Sequence, residues 1–123
     1  AEATGYAKIT RGYHLPASFV LHTVGPIYPT DEPQPSWEDQ AALASSYRAC
    51  LDLAARIPAI RSLAFCCIST GVFGFPRIPA AQVALYTVNQ WLSEHPNTLD
   101  RVIFNVFRAD DLAIYQSLLS GGR

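Results

Sequence analysis

Apolar residues along this chain fall into two kinds of pattern. Four short runs are rich in apolar and β-branched residues and read as strands: residues 7–10 (AKIT), 19–24 (FVLHTV), 63–68 (LAFCCI) and 102–107 (VIFNVF). The third run is apolar throughout and the fourth is similar, so both are expected to be covered on two faces. Three longer stretches repeat apolar positions every three to four residues and read as helices. Over residues 38–57 the stripe is Leu43, Tyr47, Cys50, Leu51, Ala54 and Ile57, with Ser36 placed to cap it and Pro58 to stop it. Over residues 80–95 it is Ala80, Ala84, Val88, Trp91 and Leu92, ended near Pro96. A last stripe of Leu112, Tyr115, Leu118 and Leu119 has Asp110 as its expected cap, and Gly121 and Gly122 as its stop.

Alternating strands and helices imply an α/β fold with a largely parallel sheet and helices on both faces. The stretch 28–37 (YPTDEPQPSW) holds three prolines and two acids and reads as a surface loop. Ligands of such sheets bind beyond the carboxyl ends of the strands. One such end carries the run CCISTGVFGFP, in which an apolar strand opens into small hydroxyl residues and two glycines. Ser69, Thr70, Gly71, Val72, Phe73 and Gly74 can turn successive backbone N–H groups toward one anion. Hydrogen bonds to a charged group contribute about 1.5–3 kcal/mol each, so a few suffice for a diphosphate. The loop has no Lys and lacks GxxxxGK[ST], which excludes the nucleotidase P-loop. Phe73 and Phe75 flank Gly74 and are placed either to wall a sugar or to enter the core beneath a plain glycine turn. Phe107 closes the last strand, where an aromatic ring can stack on a base for about 1–3 kcal/mol or simply pack. A third candidate, His22-Thr23-Val24-Gly25-Pro26, runs another strand into a small-residue turn. His22 reads there as a structural residue.

Composition narrows the classes. With 123 residues, 50% of them hydrophobic, the chain has the makings of one domain with one core and not of a disordered segment. A net charge of −1 supplies no field for nucleic acid or a membrane surface. No apolar run approaches the roughly 20 residues of a membrane span. Three cysteines, Cys50, Cys66 and Cys67, follow no disulfide framework and no zinc-finger spacing, which favours a reducing, cytoplasmic setting.

From about Gly5 onward the chain resembles a macrodomain, the ADP-ribose-binding α/β module. The resemblance is carried by Ala7-Lys8-Ile9-Thr10 with Gly12-Tyr13-His14-Leu15-Pro16-Ala17, then Val20-Leu21-His22-Thr23-Val24-Gly25-Pro26. Tyr47-Arg48-Ala49-Cys50-Leu51, the Ile68-to-Pro76 loop and Phe107-Arg108-Ala109-Asp110 with Tyr115 complete it. It implies a three-layer α/β/α fold with a mostly parallel mixed sheet, of which residues 1–123 form the C-terminal two-thirds. The family's first strands, an Asn-rich segment and a Gly-rich loop with an acid would then lie ahead of Ala1, and the incomplete sheet would leave edges open to self-association.

By position, the resemblance assigns Ser69, Thr70, Gly71, Val72, Phe73, Gly74 and Phe75 to the loop around the diphosphate and distal ribose. It assigns Phe107 to adenine stacking, and Val24 with Pro26 to the pocket rim. The Cys66-Cys67 pair and the Tyr47-to-Cys50 run look most like the zinc-containing bacterial branch, which hydrolyses ADP-ribosyl groups from proteins. That implies zinc in the full-length protein, on ligands outside this segment, and no cofactor within it. The expected ligand is ADP-ribose or an ADP-ribosylated protein, and O-acetyl-ADP-ribose is a further substrate class. No pair of carboxylates is poised for acid–base work, since Asp110 and Asp111 read as helix-capping acids. The visible site residues serve binding, so a non-catalytic reader and a general nucleotide-binding or phosphatase domain stand beside the hydrolase.

Overall fold

The computed structural model describes residues 7–11, 19–23, 25–28, 34–68, 70, 74–106 and 108–121. Strands β1 (Ala7–Arg11) and β2 (Phe19–Thr23) pair antiparallel, with Ala7 opposite Thr23 and Arg11 opposite Phe19. Helix α1 (Trp37–Ala55) follows, then β3 (Ser62–Phe65), α2 (Arg77–Glu94), β4 (Arg101–Phe104) and α3 (Ala109–Leu119). β3 and β4 pair in parallel, Ser62 opposite Arg101 and Phe65 opposite Phe104, joined through α2.

Local chemistry sets the helix ends. Ser36 caps α1 as expected and does so reciprocally. Its Oγ accepts from the Asp39 N–H at 3.0 Å, and Asp39 Oδ2 accepts from the Ser36 N–H at 2.9 Å. α2 starts three residues before its apolar stripe. Pro79 is harmless there, because the first helical N–H groups have no intrahelical acceptor anyway. Asp110 is not the cap of α3. Arg108 holds that position, and Asp110 lies in the first turn, accepting from the Asp111 N–H at 3.0 Å. Gly121 ends the helix at φ +86°, the left-handed conformation that glycine adopts without strain.

The core forms where α1 and α2 pack together against the sheets. Leu43, Tyr47, Cys50 and Leu51 of α1 meet Ala80, Ala84, Val88 and Trp91 of α2, with Phe65, Ile68 and Phe75 beside them. Burying a leucine fully contributes about 1.5–3 kcal/mol, and Leu43 and Leu51 are both inaccessible. A second cluster of Ala81, Leu85 and Tyr115 ties α2 to α3.

Two-face coverage of the parallel strands is not found among the described residues. Leu63 and Phe65 face the core while Ser62 and Ala64 are exposed, and Ile103 of β4 is 39% exposed. The apolar run from Leu63 overshoots the strand for a different reason. Cys67 and Ile68 leave the ladder and turn under the helices, and the Asn105 N–H closes the ladder on the Phe65 carbonyl at 2.7 Å. No helix among the described residues is long and apolar enough to cross a membrane.

One polar tie crosses the α1–α2 interface. The buried Trp91 indole N–H donates to Asp52 Oδ1 at 2.8 Å. An Asp52→Ala variant leaves that donor without its acceptor and is expected to lose about 1–3 kcal/mol in urea unfolding. Asp52→Asn keeps an acceptor and loses less than half of that. Coincident unfolding curves for wild type and Asp52→Ala would show that the tie contributes nothing.

Candidate functional site

The carboxyl ends of β3 and β4 converge on an aromatic knot. The Tyr47 ring meets Phe65 edge-on at 5.0 Å, Phe65 stacks on Phe104 at 5.9 Å, and Phe104 lies 5.2 Å from Tyr115. Two phenol groups therefore enter an apolar cluster, where each hydroxyl needs a partner. Their polar neighbours form a short chain. Tyr47 has the Ile68 N–H and the Tyr115 hydroxyl beside it. Tyr115 in turn neighbours the Cys67 thiol, which also lies beside the Thr70 hydroxyl. Burial first, and the neighbouring Tyr115 second, push Tyr47 well above its ordinary range. Burial also leads for Tyr115, followed by the nearby Cys67, and for Cys67, followed by the Asp111 carboxylate. All three stay neutral and act as bridges. Their effect is to anchor Cys67, Ile68 and Thr70, where β3 opens into the candidate loop.

The far end of that loop is anchored by different means. Gly74 takes φ +75° with open space where a Cβ would stand, so glycine is required by conformation and not by crowding. Phe75 is 2% exposed, its ring 5.5 Å from Tyr28. α2 then begins with no side-chain cap and no acid in its first turn, whereas α1 carries Glu38 and Asp39 there and α3 carries Asp110 and Asp111. The positive end of the α2 dipole is thus left uncompensated by its own side chains, directly after the loop. Arg77, the first residue of α2, places Nε 3.1 Å from Asp111 Oδ1.

Of the expected site residues, Thr70, Gly74 and Phe75 are described, while Val24, Ser69, Gly71, Val72, Phe73 and Phe107 lie outside the described residues. Phe75 commits its ring to the core and leaves its backbone to the loop. Tyr28, read from the sequence as part of a surface loop, is buried against Phe75 instead. Sequence reasoning placed Tyr47 and Tyr115 on apolar stripes but missed their hydroxyls, whose partners come from three separate segments. A groove of about 600 Å³ lined by Phe19, Leu21, Leu63, Phe65 and Ile68 runs between β2 and β3 up to the start of the loop. Another, about 840 Å³, lies between α1 and α2 and is lined by none of the expected site residues.

A loop of hydroxyl residues and glycine at the carboxyl end of a parallel strand, leading into an uncapped helix, is the arrangement of an α/β module for anionic ligands. More narrowly, the chain belongs to the Macro domain family, whose model matches residues 1–84. It is 48% identical over 119 residues to a protein-ADP-ribose hydrolase of Treponema medium, covering 97% of this chain and 44% of that protein. It is 50% identical over 116 residues to the ADP-ribose glycohydrolase MACROD1 of Rattus norvegicus, covering 94% of this chain and 43% of that one. The chain thus spans less than half the length of these relatives. The Trypanosoma brucei macrodomain in complex with ADP-ribose superposes with a TM-score of 0.84 at 38% identity, over 95% of this chain and 46% of that one. An Oceanobacillus iheyensis macrodomain variant with ADPR gives 0.84 at 37% identity, over 97% and 60%. The fold is therefore that of a macrodomain.

Two measurements probe this site. Tyr47→Phe keeps the ring but removes the hydroxyl beside the Ile68 N–H, and is expected to lose about 1–3 kcal/mol. Combined with Tyr115→Phe, the losses should be non-additive by more than about 0.5 kcal/mol, and additive losses would mean that the two hydroxyls do not share a network. The second probe is pH. Burial first, and the nearby Cys66 second, push Cys50 from 9.0 up to about 11. The folded chain holds that proton more tightly than the unfolded chain. This contribution to stability is full below pH 9 and is lost as pH rises through 11, with a slope of at most about 1.4 kcal/mol per unit. Urea midpoints should fall over that window, and Cys50→Ala should make the decline shallower.

Proposed function

We propose that the protein carrying this chain binds ADP-ribose and hydrolyses ADP-ribosyl groups from proteins, with O-acetyl-ADP-ribose as a related substrate. The observation that carries the reading is the loop between Thr70 and Gly74. It is anchored at both ends and runs into a helix whose first turn holds no acid. Backbone N–H groups there suit a diphosphate, and Phe73 and Phe107 supply aromatic faces for the distal ribose and the adenine. The activities for which the relatives are named support the same reading.

This chain's share of the work is binding and orientation. Asp110 is paired with Arg108 at 3.0 Å and Asp111 with Arg77 at 3.1 Å, so neither carboxylate is poised as a general base. Because binding alone is visible here, a reader that holds ADP-ribose without turnover is the second reading. Among the described residues no group of three or more His, Cys, Asp or Glu could hold a metal ion. In the reading that includes zinc, its ligands lie outside this segment. Three free cysteines, with Cys66 exposed, support a reducing, cytoplasmic setting.

Titration of the full protein with ADP-ribose, ADP and ribose 5-phosphate tests the binding reading. ADP-ribose should bind tightest, because it alone spans both ends of the pocket. Gly71→Val should weaken ADP-ribose binding about tenfold or more by removing amide contacts to a charged group. Phe107→Ala should weaken the two adenine-containing ligands and spare ribose 5-phosphate. Equal affinity for all three ligands would sink the proposal. Release of ADP-ribose from a modified peptide separates hydrolase from reader.

A further inference from the structure

We propose that Arg77 and Asp111 form a positioning pair that holds the ADP-ribose loop in register with the strand end carrying Phe107. The proposal rests on the ADP-ribose reading. Arg77 lies two residues beyond Phe75, where the loop ends, and Asp111 lies four residues beyond Phe107. Their contact joins the first turns of α2 and α3, so one ion pair links two segments that reach the ligand from different strands.

The geometry of the pair fits that role. Asp111 is buried, with its side chain 9% exposed, and the Arg77 side chain is 33% exposed. The Arg77 Nε is itself buried and has no acceptor at a hydrogen-bonding angle, although Asp111 Oδ1 lies 3.1 Å away. The attraction is therefore mainly charge on charge, and low surrounding polarity strengthens it. Asp110 is taken up by its bidentate contact with Arg108, at 3.0 and 3.2 Å, which leaves Asp111 to Arg77. The negative charge of Asp111 also acts on Cys67, the thiol beside the Thr70 hydroxyl. The start of the loop, its end and the exit of β4 thus meet around one carboxylate. Beneath them Ala81, Leu85 and Tyr115 pack with Cys67, Phe104 and Val106 and give the pair a firm seat. Arg61 and Asp100 provide the contrast. They form an exposed pair at 2.7 Å where β3 and β4 begin, at the opposite ends of the strands.

A double-mutant cycle in the full protein separates positioning from plain stability. Removing one partner of a buried pair strands the other charge, and removing both relieves that penalty. Arg77→Met and Asp111→Asn should each lower the melting temperature, and the double variant should recover much of the loss. ADP-ribose affinity should fall about tenfold in both single variants and stay low in the double, because the link is still absent. Arg61→Ala should leave affinity unchanged. Affinity that recovers along with stability in the double variant, or that never falls, overturns the proposal. If a single variant does not fold, the double still decides. If the wild-type protein does not bind ADP-ribose, the functional reading fails, and amide exchange without ligand decides the pair. Exchange at Thr70, Gly74 and Phe75 should be faster in the double variant than in wild type and Arg61→Ala, and unchanged exchange overturns the proposal.

Discussion

A phenol buried in an apolar cluster must still satisfy its hydroxyl, and much of this structure follows from how Tyr47 does so. The ring fills the space between α1 and the parallel strands, edge-on to Phe65. The oxygen is thereby brought to the carboxyl end of β3, where the Ile68 N–H has left the ladder and needs an acceptor. One residue closes the core and terminates the strand. Tyr115 and Cys67 extend the same solution to Thr70, so packing inside the domain and loop geometry at its rim are not independent.

What the sequence made legible was mostly periodic. The α1 and α2 stripes, the Ser36 cap and the glycine stop after α3 follow from spacing and local chemistry, and the structure repeats them within a few residues. The strand runs were less informative. Cys66, Cys67 and Ile68 look like more strand because they are apolar, yet Cys67 and Ile68 pack under the helices and Cys66 is exposed. Tyr28 was lost among prolines, since nothing local announces that Phe75 waits for it across the fold. At the site, the motif marked the loop but not its anchors. A hydroxyl chain assembled from α1, the β3 exit and α3 has no signature in any single window, and neither does an ion pair between residues 77 and 111.

Charge is distributed over the helix starts in a way that matches this division. α1 and α3 neutralise their positive ends with their own acids. α2 does not, and its first side chain is an arginine turned toward the next helix. The partial positive charge at the close of the candidate loop therefore faces no carboxylate of its own helix. A diphosphate is the natural occupant in the ADP-ribose reading.

Thr70 and Gly74 stand on separate supports, the first on a thiol and two phenols, the second on the neighbouring ring of Phe75. The number of residues that joins them is therefore constrained by the two ends. Adding or deleting one residue changes the reach of the chain by about 3.5 Å, more than the length of a hydrogen bond. Insertions elsewhere on the surface should be far easier to tolerate than a single one here.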